Sequence, residues 1–156
     1  MEAYKKILKE EVDAFRKKGH EFLEGALTRN EFKGMSGGMG SYAQKETGKF
    51  MIRLRTPSGT ISKEHFNLIL GYAEKYGLDK IHLTTRQAVQ LHDLGIADVC
   101  DIMKDAIDHN LFTRGGGGNF PRNVSLSPMA GVDPAEAFDV TPYARQVGDY
   151  FLRNAT

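Results

Sequence analysis

Thr84, Arg86, Gln90 and His92 share one parity, so on extended backbone they point to one side while Val89 and Leu91 point to the other. A hydroxyl, a guanidinium, an amide and an imidazole in one row make a poor core. They make a good grip for a polyanion, because such groups form charge-assisted hydrogen bonds to carboxylates and oxyanions. Met51-Ile52-Arg53-Leu54-Arg55 repeats the division: Ile52 and Leu54 face one way, Arg53 and Arg55 the other. Arg53 and Arg86 are thus anion-binding candidates, and Arg55 is equally a salt-bridge partner at a sheet edge.

These strands need elements to hold them. Tyr4, Ile7, Leu8, Val12 and Phe15 fall on one stripe and predict an amphipathic helix over residues 3–18. Gly19 and Gly25 interrupt it, and the glycine-rich stretch from Lys33 to Gly40 reads as a flexible connector. Regular patterning begins at residue 49. A strand over 49–55 leads to a Pro57-Ser58-Gly59 turn. Ser62 then caps a helix to about Tyr76, burying Phe66, Ile69, Leu70, Ala73 and Tyr76 and stopping at Gly77.

Strands over 81–85 and 89–92 follow, then a helix over 97–110 with Val99, Met103, Ala106 and Ile107 inward. Strand–helix–strand–strand–helix is most of a ferredoxin-like unit, βαββα(β), with both helices on one face of an antiparallel sheet. The polar strand face is expected to stay open. Residues 1–48, 49–112 and 113–156 then read as an N-terminal helix with its connector, the half-domain, and the start of a further unit. In that last part Thr141-Pro142 predicts a helix start with Thr141 as cap. Its apolar stripe, Tyr143, Val147, Tyr150 and Phe151, finds nothing downstream to pack on, so the expectation is a unit that is incomplete within these residues.

Bulk composition narrows the classes. With 21 basic and 20 acidic residues the net charge is +1, so nucleic acid or an anionic membrane is not advertised by the overall field. A ferredoxin-like RNA binder would need aromatics on the open face for base stacking, and this face has none. The single cysteine, Cys100, lies in an apolar helical pattern and reads as a small buried hydrophobe, leaving no cysteine-built metal site within these residues. A chain without pairable cysteines, signal peptide or membrane span suits a reducing cytoplasm.

The motifs together resemble the nitrite/sulfite reductase haemoprotein family, over about Gly34 to Phe151. The resemblance rests on Met51 to Gly59, on Leu83-Thr84-Thr85-Arg86-Gln87 with Gln90-Leu91-His92, and on Thr113-Arg114-Gly115 followed by Arg122-Asn123-Val124. It implies siroheme and a [4Fe–4S] cluster in the full-length protein. It also implies six-electron reduction of sulfite to sulfide or nitrite to ammonia, and an electron-donor protein or subunit. Carried onto matching positions, it implies that Arg53 and Arg122 hold the substrate anion. Thr84, Arg86, Gln90 and His92 then contact siroheme carboxylates, with Asn123, Arg55 and Arg114 in the same cofactor set.

The chain departs from the family pattern at three positions. His82 stands where some members carry arginine, Ser58 where glycine is frequent, and Ser127 where one branch has cysteine. The family's cluster cysteines and substrate lysines are absent, so the expectation is an N-terminal portion that is inactive alone. The alternative is a regulatory ferredoxin-like module binding a small anion or a partner protein.

Overall fold

The computed structural model describes residues 2–154. Its core is a four-stranded antiparallel sheet, α+β in class, as the patterning predicts. In chain order the elements are α1 (Glu2–Leu23), α2 (Arg29–Ser36), β1 (Ser41–Ala43), β2 (Phe50–Arg55), a 3₁₀ turn (Pro57–Gly59) and α3 (Lys63–Lys75). Then come β3 (His82–Leu83), β4 (Ala88–Leu94), α4 (Ile96–Asp108) and α5 (Thr141–Asn154).

The strand order is β1-β2-β4-β3. The half-domain lacks a final strand of its own, and its place beside β2 is filled from upstream by β1, with Ser41 opposite Ile52. Arg53 donates its backbone N–H to Gly40, just before β1, at 2.8 Å, and beyond it the same edge is used by the chain leaving α4, Arg55 donating to the Phe112 carbonyl at 2.8 Å. Two separate segments thus satisfy one strand edge, which would otherwise present unpaired amides.

Phe50, Ile52 and Leu54 of β2 and Val89, Leu91 and Leu94 of β4 lie in one core with Ile69 of α3 and Val99, Ile102 and Met103 of α4. α1 joins that core through Leu8, Val12 and Phe15, and runs through Gly19 to Leu23. Gly19 does not end the helix because α4 needs the space: a Cβ there would sit 2.6 Å from the Ile96 side chain. Lys9–Asp108, Arg16–Asp101 and Lys104–Asp13 ion pairs flank the α1–α4 contact. Being largely solvated and screened, they add little to stability.

Four sequence expectations are corrected. The stretch 33–40 is not a plain connector, because a Thr28–Glu31 capping box starts α2, which sends Phe32 into the core. The buried stripe of α3 is Ile69, Tyr72 and Ala73, with Tyr76 beside it, while Phe66 and Leu70 are exposed. Tyr72 wins its place by donating its hydroxyl to Asp105 of α4 at 2.6 Å, an apolar body with a satisfied polar tip. Residues 84–87 are a tight turn rather than strand, as a hairpin between antiparallel β3 and β4 requires. Gln87 N–H donates to the Thr84 carbonyl at 3.0 Å, and Gln87 takes φ 51°. Thr141 does not cap α5 with its hydroxyl; its own N–H donates to the Asp139 carboxylate at 2.9 Å.

A bulge then aims the end of β4. Ile52 pairs with Leu91 but Phe50 with Leu94, so His92 and Asp93 together oppose Met51. Asp93 takes φ 63°, which returns Leu94 to the core.

Candidate anion-binding site

The polar face of the sheet is not left open. The segment after α4 lies over it, with its four-glycine run packed against residues 37–42. Gly115 donates to the Gly38 carbonyl at 2.8 Å, and Gly118 to the Tyr42 hydroxyl at 2.7 Å. A Cβ on Gly117 would stand 2.7 Å from the Gly37 carbonyl oxygen, so the run is a close-packing device as well as a turn.

Under this cover a narrow cleft is lined by Arg53, Arg55, Arg86, Arg122, Asn123 and the Gly116 backbone. β2 supplies the first two arginines, the β3–β4 turn supplies Arg86, and the covering segment supplies Arg122. Residues far apart in sequence thus meet at one point. None of the four arginines has a carboxylate partner in the ion pairs of the described residues. Burial pushes the Arg53 guanidinium below its usual range, and the charges of Arg122 and Arg86 push it further. Burial does the same to Arg55. An arginine remains charged under such pressure, so the cleft is a fixed concentration of positive charge.

Each arginine is held by neutral groups. Arg53 donates through Nη1 to the Gly116 carbonyl at 2.6 Å, and its guanidinium carbon lies 5.9 Å from the centre of the Tyr42 ring. Gln90 is its register partner on β4. With the Gln90 amide turned so that both neighbours are satisfied, its oxygen accepts from Arg53 Nε at 3.0 Å and Nη2 at 2.7 Å. Arg55 is 7% exposed and reaches Asn123 Oδ1 and the Arg114 carbonyl, both at 3.4 Å.

The remaining sequence candidates divide. Asn123 sits in the cleft and donates to the Gln87 carbonyl at 2.5 Å and the Arg86 carbonyl at 3.3 Å. His92 follows Gln90 on the same face and stacks on His82 with centroids 5.8 Å apart. Burial, then the neighbouring His82, lowers its pKa below the ordinary 6.5. Thr84 uses its hydroxyl inside the turn, accepting from Ala88 N–H at 3.1 Å. Arg114 turns away from the cleft to Glu11, with which it pairs, and covers the Phe120 ring at 5.3 Å.

Sequence reasoning missed Gln87. Its amide clamps the covering segment, donating to the Leu126 carbonyl at 2.7 Å and accepting from Leu126 N–H at 3.1 Å. Its own carbonyl accepts from Thr56 and Asn123. No local pattern marks this role; only the meeting of two distant loops creates it.

Residues 42–108 match the model of the nitrite/sulfite reductase ferredoxin-like half domain. This stretch carries the ferredoxin-like half domain of the nitrite/sulfite reductase family. Relatives of the chain include a ferredoxin–nitrite reductase of Leptolyngbya laminosa, 28% identical over 94% of this chain and 28% of the relative. The chloroplastic ferredoxin–nitrite reductase of Arabidopsis thaliana is 32% identical over 69% of this chain and 19% of the relative. The chain therefore spans well under a third of the length of these family members. The solved structure of the Mycobacterium tuberculosis NirA protein has the same fold, with a TM-score of 0.72 and 24% identity over 81% of this chain and 26% of that one.

Proposed function

We propose that this chain supplies one wall of the substrate and siroheme pocket of a nitrite or sulfite reductase. Nitrite is the preferred substrate and a ferredoxin-type protein the electron donor, because the relatives named above are ferredoxin–nitrite reductases. The observation that carries the reading is the cleft of four arginines without an acidic partner in the ion pairs of the described residues. Gathering cations in a half-buried cleft is unfavourable unless an anion joins them.

The residues fit a carboxylate-rich macrocycle and a small oxyanion. Arg86, near the surface with Asn123 bonded to its carbonyl, holds macrocycle carboxylates, as does His92 further along β4; Arg53 and Arg122 hold the substrate oxyanion. Of the five N–H donors on a guanidinium, Arg53 commits Nε, one on Nη1 and one on Nη2 to Gln90 and Gly116, which leaves two for the substrate. Siroheme, when bound, supplies the redox-active iron. The arginines neutralise the oxyanion, fix its orientation and stabilise negative charge as its oxygens are lost as water. The Gly115–Gly118 cover limits water access from its side of the cleft. Cofactor chemistry and protein positioning are thus divided between partners.

A [4Fe–4S] cluster does not fit these residues. Cys100 is fully buried, and burial pushes its thiol up to about 11, away from the thiolate such a cluster binds. On this reading the 156-residue chain alone turns over neither nitrite nor sulfite with an artificial donor.

Titration of the chain with nitrite and sulfite tests the site. Arg122→Gln should weaken binding about tenfold or more, the scale of a lost charge-assisted bond. Unchanged affinity in that variant would sink the assignment.

A further inference from the structure

A second cavity, of about 210 Å³, lies between the start of α1, the 3₁₀ turn and the inner side of α5. Arg55 and Asn123 border both this cavity and the arginine cleft, whereas Arg53, Arg86 and Arg122 border only the cleft. We propose that the cavity binds a small organic monocarboxylate, its head on Arg55 and Ser58 and its short apolar tail against Phe112, Val124 and Leu152. The inference goes beyond the reductase reading and does not depend on it.

Two independent observations point to a ligand. Arg55 is 7% exposed, with only neutral partners at 3.4 Å and no acidic partner in the ion pairs of the described residues. Asp149 and Arg153 also border the cavity; the Asp149 charge acts on Arg55 without forming an ion pair with it, and with Arg153 counted the lining carries one net positive charge. Ser58 is also 7% exposed, and its hydroxyl has no hydrogen-bond partner in the protein. It holds φ 60°, the left-handed region that a non-glycine residue adopts at a cost. A strained serine with a buried, unsatisfied hydroxyl and a buried guanidinium lining the same cavity offer two donors, and donors of this kind take a carboxylate. The rest of the lining is largely apolar, which suits a short hydrocarbon tail better than a bare inorganic ion. Tyr4 closes one end, its hydroxyl donating to the Leu152 carbonyl at 2.7 Å.

Calorimetric titration of the full chain with butyrate, against chloride and sulfate at equal ionic strength, tests the proposal. Saturable butyrate binding is expected, with acetate weaker and chloride and sulfate not competing. Gly148→Leu fills the cavity from α5, where a Cβ meets nothing within 4 Å, and should lower butyrate affinity at least tenfold. Ser58→Gly removes the hydroxyl while suiting the left-handed backbone, and should lower it several-fold without loss of folding. Arg122→Gln should leave butyrate binding intact while weakening nitrite, so failure of the cleft and failure of the cavity are read separately. Absence of saturable butyrate binding, equal competition by sulfate, or full affinity in Gly148→Leu would each overturn the proposal.

Discussion

Arg53 and Gln90 are partners twice over: they face each other in the β2–β4 register, and the Gln90 oxygen accepts two bonds from the Arg53 guanidinium, at 3.0 and 2.7 Å. The Gln90 amide nitrogen then donates to His92 Nε2 at 3.2 Å, so one amide aligns the cation and the imidazole together. Gln90→Leu keeps the size of the side chain and removes both bonds. Nitrite affinity should fall about tenfold, the effect of a misplaced charge-assisted donor, while the far-ultraviolet circular dichroism spectrum stays unchanged. A variant that binds nitrite as the parent does would show that Arg53 needs no such alignment.

The arginine cluster should cost the unliganded chain stability. Arg86→Gln removes one of the two charges that press on Arg53. Because Arg86 is exposed, the expected gain is small, about 1–2 °C in Tm at low ionic strength. It should vanish in molar salt, where the Debye length falls to about 3 Å. A lower Tm would mean that Arg86 is held by attraction rather than strained by repulsion.

Gln87 ties the β3–β4 turn to the segment that carries Arg122, through two bonds to the Leu126 backbone. Gln87→Ala should cost about 1–3 kcal/mol in urea unfolding, the sum of two half-buried bonds. It should also weaken nitrite binding without touching any residue proposed to contact the anion. Loss of stability with full nitrite affinity would confine Gln87 to a scaffold role.

His92 gives a pH signature with a definite sign. Its pKa in the folded chain is depressed below 6.5 by burial and by His82. The unfolded chain then takes up a proton more readily, so the contribution to stability is complete above 6.5 and is lost as pH falls through the depressed value. Comparing urea midpoints at about pH 8 and about pH 5, the parent should lose more stability than His92→Gln. Equal losses would remove His92 as the cause.

Gly117→Ala sets a new methyl against the Tyr42 hydroxyl and the Gly37 carbonyl. Overpacking of this kind costs about 1–3 kcal/mol. Gly34→Ala, inside α2 with nothing within 4 Å of the added carbon, is the control and should stabilise by about 0.5–1 kcal/mol. Similar Tm values for the two variants would show that the covering run is loosely held.

The half-domain was readable because its signals are local. Alternation in β2 separates Ile52 and Leu54 from Arg53 and Arg55, Ser62 accepts from His65 N–H at 3.1 Å as a cap should, and Gly77 stops α3 at φ 64°. Less legible were β1, three residues long, and α2, whose capping box precedes a glycine-rich stretch. The α5 stripe, expected to find nothing downstream to pack on, has Tyr143 and Tyr150 61% and 62% exposed, and the buried contact of α5 comes from Ala144, which the apolar stripe does not mark.

By itself the sequence determined the alternation of faces, the helix caps and the polar character of Thr84 to His92, because side-chain periodicity and capping act over a few residues. Tertiary structure decided the rest. It turned Thr84–Gln87 into a hairpin, gave Thr84 to that turn and Arg114 to Glu11, and brought Arg122 and Asn123 over β2. Those outcomes depend on contacts between residues tens of positions apart, such as Arg53 with Gly116 and Gln87 with Leu126, which no local pattern encodes.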